Sequence, residues 1–355
     1  MIAPDTTAPK RPLRLATWNI EWFNALFDDR GRLLEDRELS SRYQVTRADQ
    51  LGAIAITLTA LDADGLMVIE GPDQGSKRST VRALENFARH FGLRARKAVH
   101  GFASETEQEI AFLYDPDRLT VSHAPVGEPA PAHGADGAPR FDTSLRADLD
   151  LDGVAEQIRF SKPPLELAVA AGDHRLHLIG VHAKSKAPHG QMSQAQFNRI
   201  SIENRRKQLA ECQWLRRRID THLDAGDSLI VMGDFNDGPG LDEYEKLFGH
   251  SGVEIAMGLD GLPDRQLYDP HACMALASRT GIQPTTARFW LAPKKRFFEA
   301  LLDFIMVSPD LKALEPDWRV WHPFNDPAVM AVAELREAIL TASDHFPVTI
   351  DLSLD

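Results

Sequence analysis

The sequence predicts a mixed α/β fold. Eight short apolar runs are typical of buried β-strands, and three longer segments carry apolar residues at helical spacing. These strands and helices alternate irregularly along the 355 residues, which favours a mixed architecture over a strictly parallel winding. Hydrophobic residues make up 43% and charged residues 26% of the chain, a balance that provides a sizeable core.

Each predicted strand is a short apolar run that stops near a polar residue or a turn. One example is Leu229–Met232, four apolar residues followed by Gly233. The full set of predicted strands is Leu13–Asn19, Gly65–Glu70, Ile110–Asp115, Leu165–Ala170, Leu176–His182, Leu229–Asp234, Leu302–Ser308 and Phe346–Leu352.

Three segments have the period of an amphipathic helix. They are Arg47–Leu61, Thr80–Phe91 and Gln194–His222. One face of the first carries the apolar residues Leu51, Ile54, Leu58 and Leu61. One face of the last carries Ile202, Leu209, Cys212, Leu215 and Ile219.

Two segments between these elements have the composition of loops. Pro125–Pro139 is dense in Pro, Gly and Ala, so we predict an exposed loop there. Phe27–Arg42 is strongly charged and lacks periodicity. It is either a solvated insertion or a lid that shapes the substrate site.

Polar signatures that follow the apolar runs decide the domain organisation. They extend from Asn19 to His345 and make chemical sense only when the fold brings them together. Residues 13–355 are therefore predicted to form a single catalytic domain. Residues 1–12 are rich in Pro, Thr and Ala, which predicts a mobile leader.

Net charge, hydropathy and cysteine content exclude several classes of protein. The formal net charge of -12 disfavours non-specific binding of nucleic acid over the whole surface. No window approaches the roughly 20 apolar residues of a membrane span. Cys212 and Cys273 are too few for a disulfide framework or a thiolate zinc site. We expect a cytoplasmic protein without stable membrane insertion, and a monomer.

The segment from Gly233 to Gly238 contains a candidate catalytic pair. Asp234 and Asn236 are two positions apart and would project to the same side of an extended backbone. The carboxylate can accept a proton from water while the amide donates to a phosphate oxygen. The alternative is an Asx-turn that closes the strand.

A carboxylate that ends an apolar strand indicates a metal site. Glu70 follows Leu66–Ile69, where burial is costly unless the carboxylate is solvated, paired or bound to a metal. Mg²⁺ prefers oxygen ligands, with one or two carboxylates and several waters. Glu70 with Asn19 or Asp344 would suffice.

Histidines follow two of the predicted strands. His182 ends one strand, and Lys184 and Lys186 follow it with positive charge for an anionic substrate. His345 precedes another strand, and Asp303 offers a carboxylate that can fix the tautomer of this imidazole. His177 faces the other way from His182 and is interpreted as a strand-surface histidine outside the site.

In this order, these motifs resemble the endonuclease/exonuclease/phosphatase superfamily, the deoxyribonuclease-I-like fold, from about Leu13 to Leu352. The matching motifs are Thr17-Trp18-Asn19-Ile20, the strands that end in Glu70 and His182, Gly233-Asp234-Phe235-Asn236, Asp303 and Ser343-Asp344-His345. The resemblance implies a four-layer α/β sandwich, two packed mixed β-sheets flanked by helices. It places the site at one edge of the sheets.

The resemblance also implies a role for each site residue. The implied metal ligands are Asn19, Glu70 and Asp344, around Mg²⁺ or, as the alternative, Mn²⁺. The implied catalytic residues are His182, Asp234, Asn236, Asp303 and His345. Asp234 would position or deprotonate the attacking water, and Asn236 would hold a phosphate oxygen. The two imidazoles would flank the scissile phosphate, and the sequence leaves open which is acid and which is base.

Several positions depart from the family pattern or leave it undecided. Ile69 stands where many members have Gln before the metal-site Glu. Glu21 either joins the metal site or lies at the surface. The sequence does not choose between Gln108 and Glu109 as the residue near the first histidine.

Lysine replaces arginine at one position near the expected phosphate. Lys162 keeps the charge of the arginine that many members have there but loses its bidentate fork. We predict that Lys162, Lys184 and Lys186 bind the substrate.

The substrate prediction depends on local charge. Between Lys184 and Arg218 there are nine basic residues and two acidic ones. This indicates a polyanionic substrate or, alternatively, the solvated face of a long surface helix. Arg288–Trp290 and Lys294–Phe298 interleave aromatics with cations, which suits base stacking or, alternatively, core packing.

The leading interpretation is a divalent-metal-dependent phosphodiester hydrolase, an endonuclease or exonuclease that acts on DNA or RNA. The nearest alternative is a phosphomonoesterase or a sphingomyelinase-like phospholipid phosphodiesterase on the same scaffold. A catalytically inactive binding module is disfavoured because every expected catalytic residue type is present.

Overall fold

The computed structural model describes residues 11–106, 108–148, 155–186, 193–239, 249–277, 283–291 and 295–354. The strands of these residues are β1 (Leu13–Asn19), β2 (Gly65–Gly71), β3 (Lys97–His100), β4 (Glu109–Tyr114), β5 (Thr120–His123), β6 (Leu145–Ala147), β7 (Glu156–Ile158), β8 (Leu165–Ala171), β9 (His174–His182), β10 (Leu229–Asp234), β11 (Ala287–Leu291), β12 (Arg296–Ala300), β13 (Asp303–Val307), β14 (Asp317–Val320) and β15 (Val348–Leu352). The helices are α1 (Arg47–Leu61), α2 (Thr80–His90), α3 (Gln194–Ala225), α4 (Gly252–Met257), α5 (Pro270–Ala277), α6 (Pro309–Lys312), α7 (Pro327–Met330) and α8 (Ala333–Ala342).

Two mixed sheets form the centre of the molecule. The strand order is β14-β15-β1-β2-β4-β3 in the first sheet and β13-β10-β9-β8-β5 in the second. Each sheet has one parallel pair, β1 with β2 and β9 with β10, and antiparallel strands extend it on both sides. The hairpins β6–β7 and β11–β12 are separate from both sheets.

Apolar side chains divide the molecule into layers. The core between the sheets contains Leu15 and Met67 from the first sheet and Met232 and Ile305 from the second. The other face of the first sheet packs against α1 and α2, and the other face of the second sheet packs against α3 and α4. This order of helix, sheet, sheet and helix confirms the predicted four-layer α/β sandwich.

The central strands have continuous apolar runs because both of their faces are covered. All eight predicted strands and all three predicted helices are present; β1, β10 and α1 have the predicted bounds, and the others have shifted ends. The last strand begins at Val348, and the long helix continues to Ala225. The seven strands that we did not predict are only three to five residues long. Most of them lack the apolar runs on which strand prediction depends, and the run in β11 has only three residues.

The predicted loops are confirmed. Residues 27–42 and 125–139 contain isolated bridges but neither a helix nor an extended strand. Residues 1–10 of the predicted leader lie outside the described residues, while Arg11 forms an ion pair with Asp62 at 2.8 Å. Cys212 and Cys273 are free thiols. None of the helices in the described ranges combines the length and apolar character needed to cross a membrane.

The strand register brings polar residues from the second sheet to one edge. His182 at the end of β9 is the register partner of Asp234 at the end of β10. Asp234 also pairs with Asp303, the first residue of the antiparallel strand β13. Gly233 has a φ of 141°, and a side chain there would collide with the carbonyl oxygen of Val181. Glycine therefore permits the close approach of β9 and β10 at this edge.

Candidate active site

Asp234 lies at the centre of the site and is 1% exposed. Its Oδ2 accepts hydrogen bonds from Asn19 Nδ2 at 3.0 Å and from Asn236 Nδ2 at 3.2 Å. Its Oδ1 accepts the backbone N–H of Asn236 at 2.7 Å, which is the Asx-turn left open by the sequence, and Asn236 has a left-handed φ of 49° rather than an extended backbone. Burial raises the pKa of Asp234 to about 7, and the nearby Asp303 adds to this effect, while His345 opposes it. Such a carboxyl group can exchange protons near neutral pH.

Asp303 and His345 form a buried pair. His345 Nδ1 lies 2.8 Å from Asp303 Oδ2. Burial disfavours the imidazolium, but the carboxylates of Asp303, Asp234 and Asp344 outweigh it and hold the pKa of His345 well above its usual value. One ligand atom from each of Asp234, Asp303 and His345 lies within 4.8 Å of the other two. The predicted proximity of Asp303 and His345 is present in the structure.

His182 has the opposite electrostatic setting. Lys162 Nζ donates to His182 Nε2 at 3.2 Å, and the same nitrogen lies 3.7 Å from Asp234 Oδ2. Burial and the positive charges of Lys162 and His345 hold the pKa of His182 well below its usual value. Burial also lowers the pKa of Lys162. At neutral pH the geometry therefore favours a charged His345 beside a neutral His182.

Glu70 reaches the site through an irregularity at the end of β2. The pairing of β2 with β4 shifts register between Val68 and Gly71, and Glu70 has a left-handed φ of 64°. Its Oε2 accepts the backbone N–H of Trp22 at 3.0 Å and Gln108 Nε2 at 2.6 Å. Its Oε1 lies 3.5 Å from Asn19 Nδ2. These contacts fix the direction of the carboxylate.

Asn19 supplies the observation that tests whether these residues fit a cation. Its Oδ1 is buried and has no hydrogen-bond partner within the described residues. A buried acceptor without a partner is costly, and a cation would satisfy it. Ser343 Oγ donates to the carbonyl oxygen of Asn19 at 2.7 Å and so brings the adjacent Asp344 to the same region. The amide and carboxylate oxygens of Asn19, Glu70 and Asp344 fit Mg²⁺ or Mn²⁺.

Glu21 also lies beside these residues. Its carboxylate pairs with Arg42, while its backbone N–H donates to Ser343 Oγ at 3.3 Å. Burial and the charge of Asp344 raise the pKa of Glu21 to about 7. Of the two alternatives from the sequence, the structure favours a position within the site rather than at the surface.

The predicted substrate-binding lysines differ in their placement. Lys162 contacts His182, and the charge of Lys184 contributes to the lowered pKa of Lys162. Lys186 Nζ instead lies 2.6 Å from Asp237 Oδ1, and Arg205 lies 2.7 Å from the same oxygen. Lys186 therefore neutralises a buried carboxylate, a role that the sequence does not reveal.

Part of the basic run between Lys184 and Arg218 is neutralised inside the fold. Arg205 and Arg218 are both fully buried, and Arg218 pairs with Glu166. Arg216 lies 2.5 Å from Asp220 within the same helix. Arg205 and Arg218 therefore belong neither to an open cationic face nor to a solvated one, whereas the side chain of Arg199 is 71% exposed and pairs with Glu203 of the same helix.

The β11–β12 hairpin stands next to the site. The backbone N–H of Arg288 donates to the carbonyl oxygen of Asp344 at 2.7 Å. Trp290 and Phe297 are each 53% exposed, with ring centroids 5.2 Å apart. The Arg288 guanidinium lies over the Phe297 ring at 4.2 Å. Exposed aromatics and a cation are thus joined to the loop that carries Asp344 and His345.

The sequence analysis missed Thr286, and it considered Gln108 and Glu109 only as residues near the first histidine. Thr286 Oγ1 accepts the backbone N–H of Asp303 at 2.9 Å and thereby holds the start of β13. Gln108 contacts Glu70, whereas Glu109 contacts His100 at 3.2 Å. The absence of Gln at Ile69 is the signal that could have directed attention to another amide.

Comparisons with known proteins identify the family of the chain. The model of the Endonuclease/Exonuclease/phosphatase family matches residues 16–345. A similar solved structure is the endonuclease domain of TRAS1, a telomere-specific non-LTR retrotransposon, with 13% identity, coverage of 97% of this chain and 100% of that chain, and a TM-score of 0.44. Truncated Caenorhabditis elegans TDP2 has 13% identity, coverage of 96% and 97%, and a TM-score of 0.48. The human nocturnin catalytic domain with bound sulfate has 14% identity, coverage of 96% and 93%, and a TM-score of 0.47. No curated protein matches the chain.

Proposed function

Because the chain belongs to the endonuclease/exonuclease/phosphatase family, we propose that it is a divalent-metal-dependent phosphodiesterase that cleaves nucleic acid. The observation that carries the proposal is the buried Asp234 between two amides, beside the Asp303–His345 pair. This arrangement supports a proton acceptor, Asp234, and a cationic proton donor, His345, at the same edge of the sheets.

Each residue contributes one step to hydrolysis. Asp234, whose pKa is raised to about 7, orients the attacking water and accepts its proton. His345, charged beside Asp303, stabilises the negative charge that develops on the phosphate and donates a proton to the leaving oxygen. Asn236 exchanges its contact with Asp234 for a phosphate oxygen. His182 and Lys162 contact the opposite side of the phosphate.

The metal site of this proposal consists of Asn19, Glu70 and Asp344. A divalent cation bound there would neutralise charge on the phosphate and lower the pKa of bound water. Mg²⁺ is the proposed ion, and Mn²⁺ satisfies the same oxygen donors.

The β11–β12 hairpin supports nucleic acid as the substrate. Trp290 and Phe297 present exposed ring surface on the hairpin bonded to the Asp344 loop. Aromatic faces stack on any base and therefore bind single strands with little sequence preference. Cytoplasmic location, a monomeric state and a single domain over residues 13–355 stay predictions.

The test is a substrate panel with Mg²⁺ or Mn²⁺: plasmid, single-stranded DNA, RNA, a generic phosphodiester, a phosphomonoester and sphingomyelin. We expect metal-dependent cleavage of the nucleic acids. Asp234→Asn should abolish it, while the control Asp173→Asn, in the exposed turn between β8 and β9, should not. Turnover of only the monoester or the lipid would replace the nuclease proposal, and an active Asp234→Asn protein would refute the mechanism.

A further inference from the structure

Three potential metal ligands meet at the ends of β9 and β10 that are opposite the candidate active site. His177 lies on β9, His222 lies in the last turn of α3, and Asp227 lies just before β10. One ligand atom from each of these side chains lies within 4.8 Å of the other two. The cluster is separate from the active-site residues, because His177 pairs with Leu229 at the start of β10 while His182 pairs with Asp234 at its end.

The C-terminal end of α3 positions His222 and Asp227 in the cluster. Gly226 caps α3 in the left-handed conformation, with a φ of 74°. The backbone N–H of Asp227 then donates to the carbonyl oxygen of His222 at 3.0 Å, which turns the Asp227 carboxylate back towards the helix. The backbone N–H of His177 donates to the carbonyl oxygen of Ser228 at 2.8 Å. All three ligand-bearing positions are therefore held by backbone hydrogen bonds.

The hydrogen bonds among these side chains leave some of the potential metal-ligand atoms without a hydrogen-bond partner. His222 Nδ1 lies 2.8 Å from Asp227 Oδ2. His222 Nε2 is buried and has no hydrogen-bond partner within the described residues. Asp227 Oδ1 lies 3.6 Å from His177 Nε2, which is too far for a hydrogen bond. The cluster thus contains one hydrogen bond, between His222 and Asp227, while His222 Nε2 has no partner in the described part of the chain and His177 lies beyond hydrogen-bond distance of Asp227.

We propose that His177, His222 and Asp227 bind a first-row divalent metal ion such as Zn²⁺. Two imidazole nitrogens and one carboxylate oxygen form a donor set that suits Zn²⁺ and Co²⁺ better than Mg²⁺. The side chains of His177 and Asp227 are 32% and 28% exposed, so the ion can enter and water can complete its coordination. The ion would tie the end of α3 to the starts of β9 and β10.

The experiment is Zn²⁺ titration of the chelator-treated full chain against a chromophoric competitor, with thermal unfolding measured in parallel. We expect one Zn²⁺ at this cluster and a rise in Tm of about 4 °C at a hundredfold excess over Kd. His177→Ala should weaken Zn²⁺ binding at the cluster by more than about 100-fold, since the loss of an outer partner alone costs about 10–100-fold. His177 is partly exposed, so this variant should fold.

Matched variants assign the ion to a site. His90→Ala removes an exposed histidine that also pairs with a carboxylate, Glu35, and should bind Zn²⁺ as the parent does. Asp227→Asn should weaken binding like His177→Ala. The proposal is overturned if the parent binds no Zn²⁺, or if both variants retain parental affinity. Loss of all Zn²⁺ binding in Glu70→Gln would place the ion at the active site and would equally overturn it.

Discussion

The two ends of the parallel pair β9–β10 each gather two histidines and at least one carboxylate, but from different distances along the chain. The active-site end takes its residues from both sheets, with Asp234, Asp303 and His345 all buried. The opposite end takes His177, His222 and Asp227 from within 50 positions of one another, and two of these are partly exposed.

This difference shows how similar side chains acquire different chemistry. At the buried end, the carboxylates around His345 raise its pKa, while the cations around His182 lower its pKa. Burial lowers the pKa of both imidazoles, so the neighbouring charges are what separate a protonated His345 from a neutral His182. At the opposite end the groups remain accessible to an ion from solvent, so the same residue types suit metal binding.

We expect the largest effect from a substitution that removes the difference in protonation between His345 and His182 at the buried end. Asp303 raises the pKa of His345, so His345 stays protonated at neutral pH and loses its proton only as pH rises through that raised pKa. Asp303→Asn should lower this pKa and shift the alkaline limb of the pH–rate profile to lower pH. At neutral pH, kcat should fall by about 100-fold or more.

The measurement is the pH–rate profile for nucleic-acid cleavage with saturating Mn²⁺. Asp173→Asn is the matched control and should retain the parental profile. An unchanged profile for Asp303→Asn would show that Asp303 does not control the protonation of His345, and it would contradict the electrostatic difference between the two ends.

We expect a smaller effect from a substitution of a residue that contacts a proposed metal ligand at the active-site end. Gln108 is a positioning residue, because it donates to Glu70 Oε2 and so directs the carboxylate of a proposed metal ligand. Gln108→Leu should weaken the apparent Mn²⁺ affinity by about 10–100-fold, with kcat recovered at high Mn²⁺. The measurement is the rate of cleavage against Mn²⁺ concentration, and the control is Gln213→Leu on the exposed side of α3. A loss of kcat that Mn²⁺ cannot restore would argue for a role other than positioning.

The smallest expected effect concerns the hairpin beside the active-site end. Trp290→Ala should raise KM for single-stranded DNA by about fivefold or more, because stacking on one base contributes about 1 kcal/mol or more. The rate with a small phosphodiester should not change. Leu262→Ala removes another exposed apolar side chain and serves as the control in the same kinetic assay. Equal effects of both substitutions would show that the hairpin does not bind bases.

Local signals in the sequence predicted the mixed α/β fold and its strand ends, and the resemblance of the short motifs to a family implied the four-layer sandwich and the set of site residues. Asn19, Glu70 and Asp234 follow apolar runs whose register makes their meeting expected. The absence of Gln at Ile69 indicates that another amide is needed, but its identity as Gln108 could not be predicted, since the contact with Glu70 depends on the register shift between β2 and β4.

Burial and long-range partners explain the remaining differences. Lys186 and Arg205 have the sequence signature of a basic face, but the buried Asp237 holds both. The period of β9 identified the face of His177 correctly, yet it carried no information about the helix end that brings His222 and Asp227 to it. Sequence periodicity gives the direction of a side chain but not its neighbours.

The fixed geometry of β9 also sets the distance between the two clusters. His177 and His182 are five residues apart on one continuous strand, which corresponds to about 17 Å. A paramagnetic ion such as Co²⁺ at His177 would enhance the nuclear relaxation of a substrate phosphorus beside His182 to a degree set by this distance. The relaxation rate of the substrate phosphorus would then measure the distance between the two ends of the strand.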